Sequence, residues 1–150
     1  MNKTILAAAL IAVVGFAGSP NGLFAEDAHE HGKDEAKAAK SFSEAMKDID
    51  HHYAGIAKLI ASGKLDDVHK EAEVIQHHAL TLAKLAMAPD SGVPHDNVKG
   101  INLAGKELAG KFDAIDTAAD AGKVPETKAV YEEMGVLIAK LKTLSGAATK

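Results

Sequence analysis

Two adjacent histidine pairs, His51-His52 and His77-His78, are the feature of this 150-residue sequence that points most clearly to chemistry. Imidazole is the commonest metal ligand in proteins and titrates nearest to neutral pH. The pairs lie on either side of a Ser62-Gly63-Lys64 break, each within a stretch of helical spacing. If these stretches pair as antiparallel helices with ~1.5 Å rise per residue, the two pairs lie at about the same level. This predicted hairpin carries five of the eight histidines, namely His51, His52, His69, His77 and His78.

Helical register separates the paired histidines into two groups. His52 and His78 flank the apolar seams of their helices and are expected to lean inward, whereas His51 and His77 are expected to face solvent. Met134, on the last predicted helix, should lie at a comparable level. Imidazole with thioether favours copper, and imidazole with carboxylate favours Zn, Ni or Co. The first candidate metal site is therefore His52, His78 and Met134, with copper preferred. The alternative is that His52 and His78 bind no metal and lie at the boundary between core and solvent, with one of them hydrogen bonded to Asp48 a turn earlier.

A second candidate site lies along one face of the second predicted helix. His69, Glu73 and His77 stand at positions i, i+4 and i+8, so adjacent members can bind one ion, and His51 can join them across the hairpin. A solvated polar face explains the same residues without a metal. Nearer the N-terminus, His29-Glu30-His31 resembles a flexible metal-capturing tail, which an acidic leader explains equally well.

The N-terminal segment has the pattern of an export signal. Lys3 supplies a positive start, an apolar run extends from Ile5 to Phe16, and Leu23-Phe24-Ala25 forms an acceptable cleavage site. The apolar run is shorter than the ~20 residues of a membrane span. The chain is therefore expected to be periplasmic, with no membrane attachment after cleavage. The predicted organisation is a signal peptide at 1–25, a flexible His-containing leader at 26–40 and a folded domain at 41–148.

Four amphipathic segments follow the leader, each with apolar residues at three- and four-residue spacing. Gly63, the stretch from Pro89 to Pro94, and Gly122 separate them, while Asp96 can cap the third and Pro125 suits the first turn of the fourth. No alternating strand pattern competes. The sequence predicts an all-α fold, an up-down-up-down antiparallel four-helix bundle. The four segments run over 42–60, 65–86, 98–119 and 127–144.

Composition narrows the range of functions. The absence of cysteine excludes thiolate metal sites and covalent haem attachment. A net charge of −4, no arginine and few aromatic residues argue against nucleic-acid binding. The chain has no Ser-His-Asp arrangement, phosphate-binding loop or His-Glu-x-x-His motif. Asp48-x-x-His51 lacks the paired Glu-x-x-His counterpart of di-iron bundles. We therefore expect a protein that is not an enzyme.

One resemblance covers most of residues 42–145. The turn from Ile115 to Val124, followed by an acidic helix, looks like the turn between the third and fourth helices of cytochrome b562, and the first hairpin fits the matching half of that bundle. That family holds haem non-covalently between a methionine of the first helix and a histidine of the fourth. Aligning the turns places Ile49 and Lys142 at those positions, and neither can ligate the iron as required. The resemblance implies the fold, and a haem-binding electron carrier would need His52 or His78 as replacement ligands.

Two shorter resemblances concern metals. The segment from Gly63 to Ile75 is similar to one in small exported helical proteins encoded beside heavy-metal efflux systems. The segment from Met46 to Ile56 looks like the Met…His-His…Ala-Ile segment of ferritin-like periplasmic copper-binding proteins, although this chain lacks their further methionines. They imply a metal buffer, sensor or resistance accessory, with an efflux system or a second copy of the chain as partner. The haem carrier and a metal-free structural or chaperone-like bundle are the alternatives.

Overall fold

The computed structural model describes residues 38–146, and within this range every element is helical. The all-α prediction is therefore confirmed, whereas the predicted signal peptide, His29 and His31 lie outside the described residues. Short 3-10 turns at Leu65–Asp67 and His95–Asn97 lead into the second and third α-helices. None of the described helices is long and apolar enough to cross a membrane. The α-helices are α1 (Phe42–Ser62), α2 (Val68–Ala86), α3 (Val98–Ala109), α4 (Phe112–Asp120) and α5 (Val124–Leu144).

Local sequence fixes both ends of α1. The Ser41 hydroxyl accepts a hydrogen bond from the Glu44 backbone N–H at 3.1 Å, which satisfies one of the donors left free at a helix start. At the other end Gly63 has φ 70°, a left-handed conformation that glycine adopts without steric cost. Its N–H donates to the Ile60 carbonyl and so stops the helix. The 3-10 turn that follows leads into α2, which packs against α1.

The third helix differs from its prediction, because the continuous segment over 98–119 is divided into α3 and α4 at Gly110 and Lys111. Glycine weakens a helix interior, and contacts from neighbouring helices hold the break. Gln76 Nε2 donates to the Ala109 carbonyl at 3.4 Å, and Lys111 Nζ lies 2.6 Å from Glu133 Oε2. A break supported from two sides is a defined part of the fold.

The predicted cap at Asp96 is wrong. Asp96 lies inside the 3-10 turn, and Asn97 occupies the position before α3 without a side-chain capping bond. The Asn97 amide instead donates to the Leu144 carbonyl at 2.8 Å. It therefore ties the start of α3 to the C-terminal end of α5.

The helices surround one hydrophobic core. Helix α1 packs against α2 and α5, α2 packs also against α3 and α4, and α5 packs against α3 and α4. All five contribute buried aliphatic side chains. Burial of each Val, Leu, Ile or Met side chain stabilises the fold by roughly 1.5–3 kcal/mol relative to an exposed position. The largest fully buried side chains include Ile49, Ile56, Ile75, Leu82, Ile101, Leu108, Ile115, Met134 and Leu141.

Candidate metal centre

His78 is the only histidine of the described range that is buried, with a side chain 3 % exposed. It lies on α2 beside the Ala79 seam, as the register predicts. Its Nε2 lies 3.6 Å from Oδ2 of Asp48 on α1, beyond a normal hydrogen bond, and its Nδ1 is buried with no hydrogen-bond partner. A buried polar atom without a partner is costly and calls for an explanation.

The surroundings of His78 favour the neutral imidazole. Burial is the main cause that lowers its pKa, because removal from water penalises the charged ring. The carboxylates of Asp48 and Glu44 oppose this effect, whereas His77 and His52 add to it. A neutral imidazole has one ring nitrogen with an available lone pair, which is the form that binds a metal ion.

His52, the other histidine predicted to lean inward, is only half-buried and has a carboxylate partner. Its Nδ1 lies 2.7 Å from Oε2 of Glu71 on α2. Asp48, which the sequence alternative pairs with a histidine one turn later, instead faces His78 across the two helices. The interface of α1 and α2 therefore carries two separate histidine–carboxylate contacts.

The remaining members of the two pairs face outward. His51 and His77 are exposed, as the register predicts. Each ring lies edge-on to its sequence neighbour, with centroids 5.3 Å apart for His51 and His52 and 5.6 Å apart for His77 and His78. The outer histidines are therefore close to the inner ones while remaining accessible to an incoming ion.

His69 has contacts that the sequence did not predict. Its Nδ1 lies 2.8 Å from Oδ1 of Asp116 on α4, and its ring is edge-on to Phe112. Its Nε2 lies 4.0 Å from Oε2 of Glu73, one turn later on α2, as the i, i+4 spacing predicts. An ion bound by His69 and Glu73 would therefore share His69 with Asp116, the contact that links α2 to α4.

Met134 lies in the hydrophobic core on α5 and is almost fully buried. Between residues 38 and 146, no three or more His, Asp or Glu side chains are arranged to hold a metal ion. The described contacts are therefore pairs of one histidine and one carboxylate. A complete coordination sphere would need a further ligand, from a rotated side chain or from water.

The two positions at which the cytochrome b562 resemblance places haem ligands do not fit iron. Ile49 is fully buried in the core and has no donor atom. Lys142 Nζ forms an ion pair with Asp50 Oδ1 at 2.7 Å.

Glu71 and Asp116 are the carboxylates that sequence reasoning missed as partners of the histidines. Both pairs join residues far apart in the chain, so only the register between helices reveals them.

No protein-family model, curated protein or solved structure matches this chain.

Proposed function

We propose that this protein binds a transition-metal ion in the periplasm, through histidines of α1 and α2, as a metal buffer, sensor or resistance accessory. The observation that carries the proposal is the buried imidazole of His78, whose Nε2 faces Oδ2 of Asp48 at 3.6 Å, beyond a normal hydrogen bond. The preferred ion is copper, with Zn, Ni and Co as alternatives. The N-terminal signal pattern supports export.

The separation of His78 and Asp48 suits an ion between them. Zinc binds imidazole nitrogen and carboxylate oxygen at ~2.0–2.1 Å, so two ligands of a tetrahedral ion lie roughly 3.3 Å apart. The observed 3.6 Å gap is close to that span. Asp48 is partly exposed, which gives an ion a route to the buried ring.

His52, His51 and His77 are the candidates to complete the coordination. His52 lies near enough to His78 to influence its ionisation, and His77 and His51 adjoin the inner rings. Met134 remains the thioether candidate from α5. We place His69 and Glu73 in a secondary, outer site, because His69 already contacts Asp116.

We also propose that the helices form an up-down-up-down antiparallel bundle, with α3 and α4 together as its third member. In each neighbouring pair, the residue numbers of the contacting side chains increase along one helix and decrease along the other. These contacts are Asp48–His78 with His52–Glu71, Gln76–Ala109 with Ala79–Gly105, Asn97–Leu144 with Lys111–Glu133, and Asp50–Lys142 with Tyr53–Tyr131.

Isothermal titration of the mature chain with Cu²⁺, Zn²⁺, Ni²⁺ and Co²⁺ tests the metal proposal. We expect saturable binding that weakens below about pH 6, because protons compete for imidazole. His78→Gln should weaken binding strongly. His95→Gln is the matched control, because His95 is exposed in the turn before α3.

Two results would contradict the proposal. The first is a wild-type chain that binds none of the four ions with a Kd below about 10 μM, a free energy near −7 kcal/mol. The second is equal loss of affinity in His78→Gln and His95→Gln, which would indicate unspecific histidine binding. A metal-indifferent chain that captures a protein partner would favour the metal-free interaction bundle.

A further inference from the structure

We propose that Glu71 is a positioning residue that fixes the tautomer of His52, so that His52 binds the metal through Nε2. This inference rests on the proposed function, because it names the ligand atom of that site. Glu71 lies on α2 and His52 on α1, and the distance between Oε2 and Nδ1 is 2.7 Å. So short a contact is typical of a hydrogen bond to an ionised carboxylate.

The contact is partly shielded from water. The side chains of His52 and Glu71 are 28 % and 31 % exposed. A hydrogen bond in such a position is stronger than one in full solvent, since water competes less for the carboxylate. Exposure of the remaining ring surface nevertheless leaves room for an ion to approach.

Gly55 provides the space in which the Glu71 carboxylate lies. A Cβ atom at Gly55 would be 2.7 Å from Glu71 Oε2 and 2.8 Å from its Cδ, both closer than real Cβ contacts. Gly55 lies in the interior of α1, where glycine is about 1 kcal/mol less favourable than alanine. The glycine is thus explained by the carboxylate that it admits, one turn from His52.

The contact determines which nitrogen can bind an ion. A neutral imidazole has one N–H and one lone pair, and an ionised carboxylate only accepts hydrogen bonds. Nδ1 of His52 therefore carries the hydrogen, and Nε2 carries the lone pair. A carboxylate behind a ligating histidine also orients the ring and increases its basicity, and its loss typically weakens metal affinity by about 10- to 100-fold.

Glu107 provides a matched control for Glu71. It carries the same charge, is exposed on α3 and is not one of the candidate metal ligands. Removing Glu107 therefore changes the net charge equally, without touching the His52 contact.

The test combines nitrogen-15 NMR of the metal-free chain at pH 8.5 with Cu²⁺ titrations of the same samples. In the wild type we expect the ring shifts of His52 to report hydrogen on Nδ1. Glu71→Ala should shift His52 toward hydrogen on Nε2 and weaken Cu²⁺ binding by about 10- to 100-fold. Gly55→Ala, which displaces the carboxylate without removing it, should act in the same direction. Glu107→Ala should resemble the wild type in both measurements.

Two outcomes would overturn the inference: hydrogen on Nε2 of His52 in the wild type, or Cu²⁺ affinity that is the same in Glu71→Ala and Glu107→Ala. Circular dichroism of each variant verifies that the helices persist, and Glu71→Ala carries the test if Gly55→Ala does not fold. A wild type with hydrogen on Nδ1 that binds no metal would contradict the proposed function instead. Failure of the two proposals is thereby distinguishable.

Discussion

Asp48 on α1 and His78 on α2 face each other across the helix interface, with 3.6 Å between Oδ2 and Nε2. The carboxylate is partly exposed, whereas the imidazole is buried and its other nitrogen has no partner. A core chosen for stability alone would place an aliphatic side chain at position 78, because a buried polar atom without a partner costs about 1–3 kcal/mol. His78 therefore has consequences for stability that can be measured without any metal.

Replacing His78 with leucine should stabilise the metal-free protein. An aliphatic side chain of similar size removes the unpartnered Nδ1, so we expect the free energy of unfolding at pH 7 to rise by about 1 kcal/mol or more. Urea unfolding followed by circular dichroism provides the measurement. Cu²⁺ binding should weaken in the same variant. A His78→Leu protein less stable than the wild type at pH 7 would show that the imidazole is well satisfied where it lies.

The same residue predicts a pH dependence. Burial lowers the pKa of His78 in the folded protein, so in mildly acidic solution the unfolded chain takes up a proton that the folded protein does not. The stability contribution of His78 should therefore fall as pH decreases from about 7 toward 5, starting near the ordinary histidine pKa of ~6.5. Unfolding curves at several pH values should show a larger advantage of His78→Leu at pH 5 than at pH 8. A constant difference would contradict this prediction, and His95→Leu serves as the control for loss of an exposed histidine.

Tyr53 provides a test at the opposite interface. Its ring is stacked on Tyr131 at 4.2 Å, and its hydroxyl donates to the Tyr131 carbonyl at 3.2 Å. Burial, followed by interaction with the side chain of Tyr131, raises the pKa of Tyr53 well above the usual value of 10. Stability at alkaline pH should consequently fall once the unfolded chain begins to ionise above about pH 10.

The variant Tyr131→Phe makes Tyr53 the single tyrosine of the chain, which has two. Burial, the largest cause of the raised pKa, remains in this variant, so ultraviolet titration of the folded protein should show phenolate formation only above the ordinary pKa of about 10. Addition of denaturant should restore an ordinary titration. The backbone carbonyl that accepts the hydrogen bond survives this substitution, whereas the contribution of the Tyr131 hydroxyl to the pKa is lost. Phenolate formation near pH 10 in the folded variant would contradict the described contact.

Glycines at two helix contacts should respond differently to alanine. A Cβ at Gly105 would lie 2.6 Å from the backbone carbonyl oxygen of Ala79, so α2 and α3 would have to separate. We expect Gly105→Ala to destabilise the protein by about 1–3 kcal/mol. At Gly100 the nearest atom is a Leu144 methyl at 3.1 Å, the movable end of a side chain. Alanine there gains up to ~1 kcal/mol of helix propensity and should be nearly neutral. Urea unfolding of both variants compares them, and equal costs would contradict this packing.

The all-helical class and most helix boundaries were predictable because the apolar spacing is regular and the breaks at Gly63 and Gly122 are strong local signals. The division at Gly110 was not, since an isolated glycine is also compatible with a continuous helix. Gln76 and Lys111 support that break through other helices, and such contacts depend on tertiary packing.

In the candidate site, too, features set within one helix were predictable and features set by packing between helices were not. The burial of His78 and the exposure of His51 and His77 follow from register within single helices. The partners Glu71 and Asp116 depend on the register between helices, which a shift of one residue would change. Asp48 illustrates the difference, since the sequence places it one turn before His52 and the structure places it opposite His78.

Asp48 and Asp50 allow a final comparison within one helix. Both side chains are 42 % exposed, but Asp48 faces His78 whereas Asp50 pairs with Lys142.

A ligand that binds only the folded chain stabilises it by about 2.7 kcal/mol at 100 times its Kd, so Cu²⁺ should raise the Tm of the wild type. Asp48→Asn should lose much of this rise, because an amide is a weaker ligand for the ion than a carboxylate. Asp50→Asn should lower the metal-free stability by about 0.2–1 kcal/mol and keep the full rise. If both variants lose the rise equally, Cu²⁺ responds to the general negative charge of α1, and Asp48 has no specific role in binding.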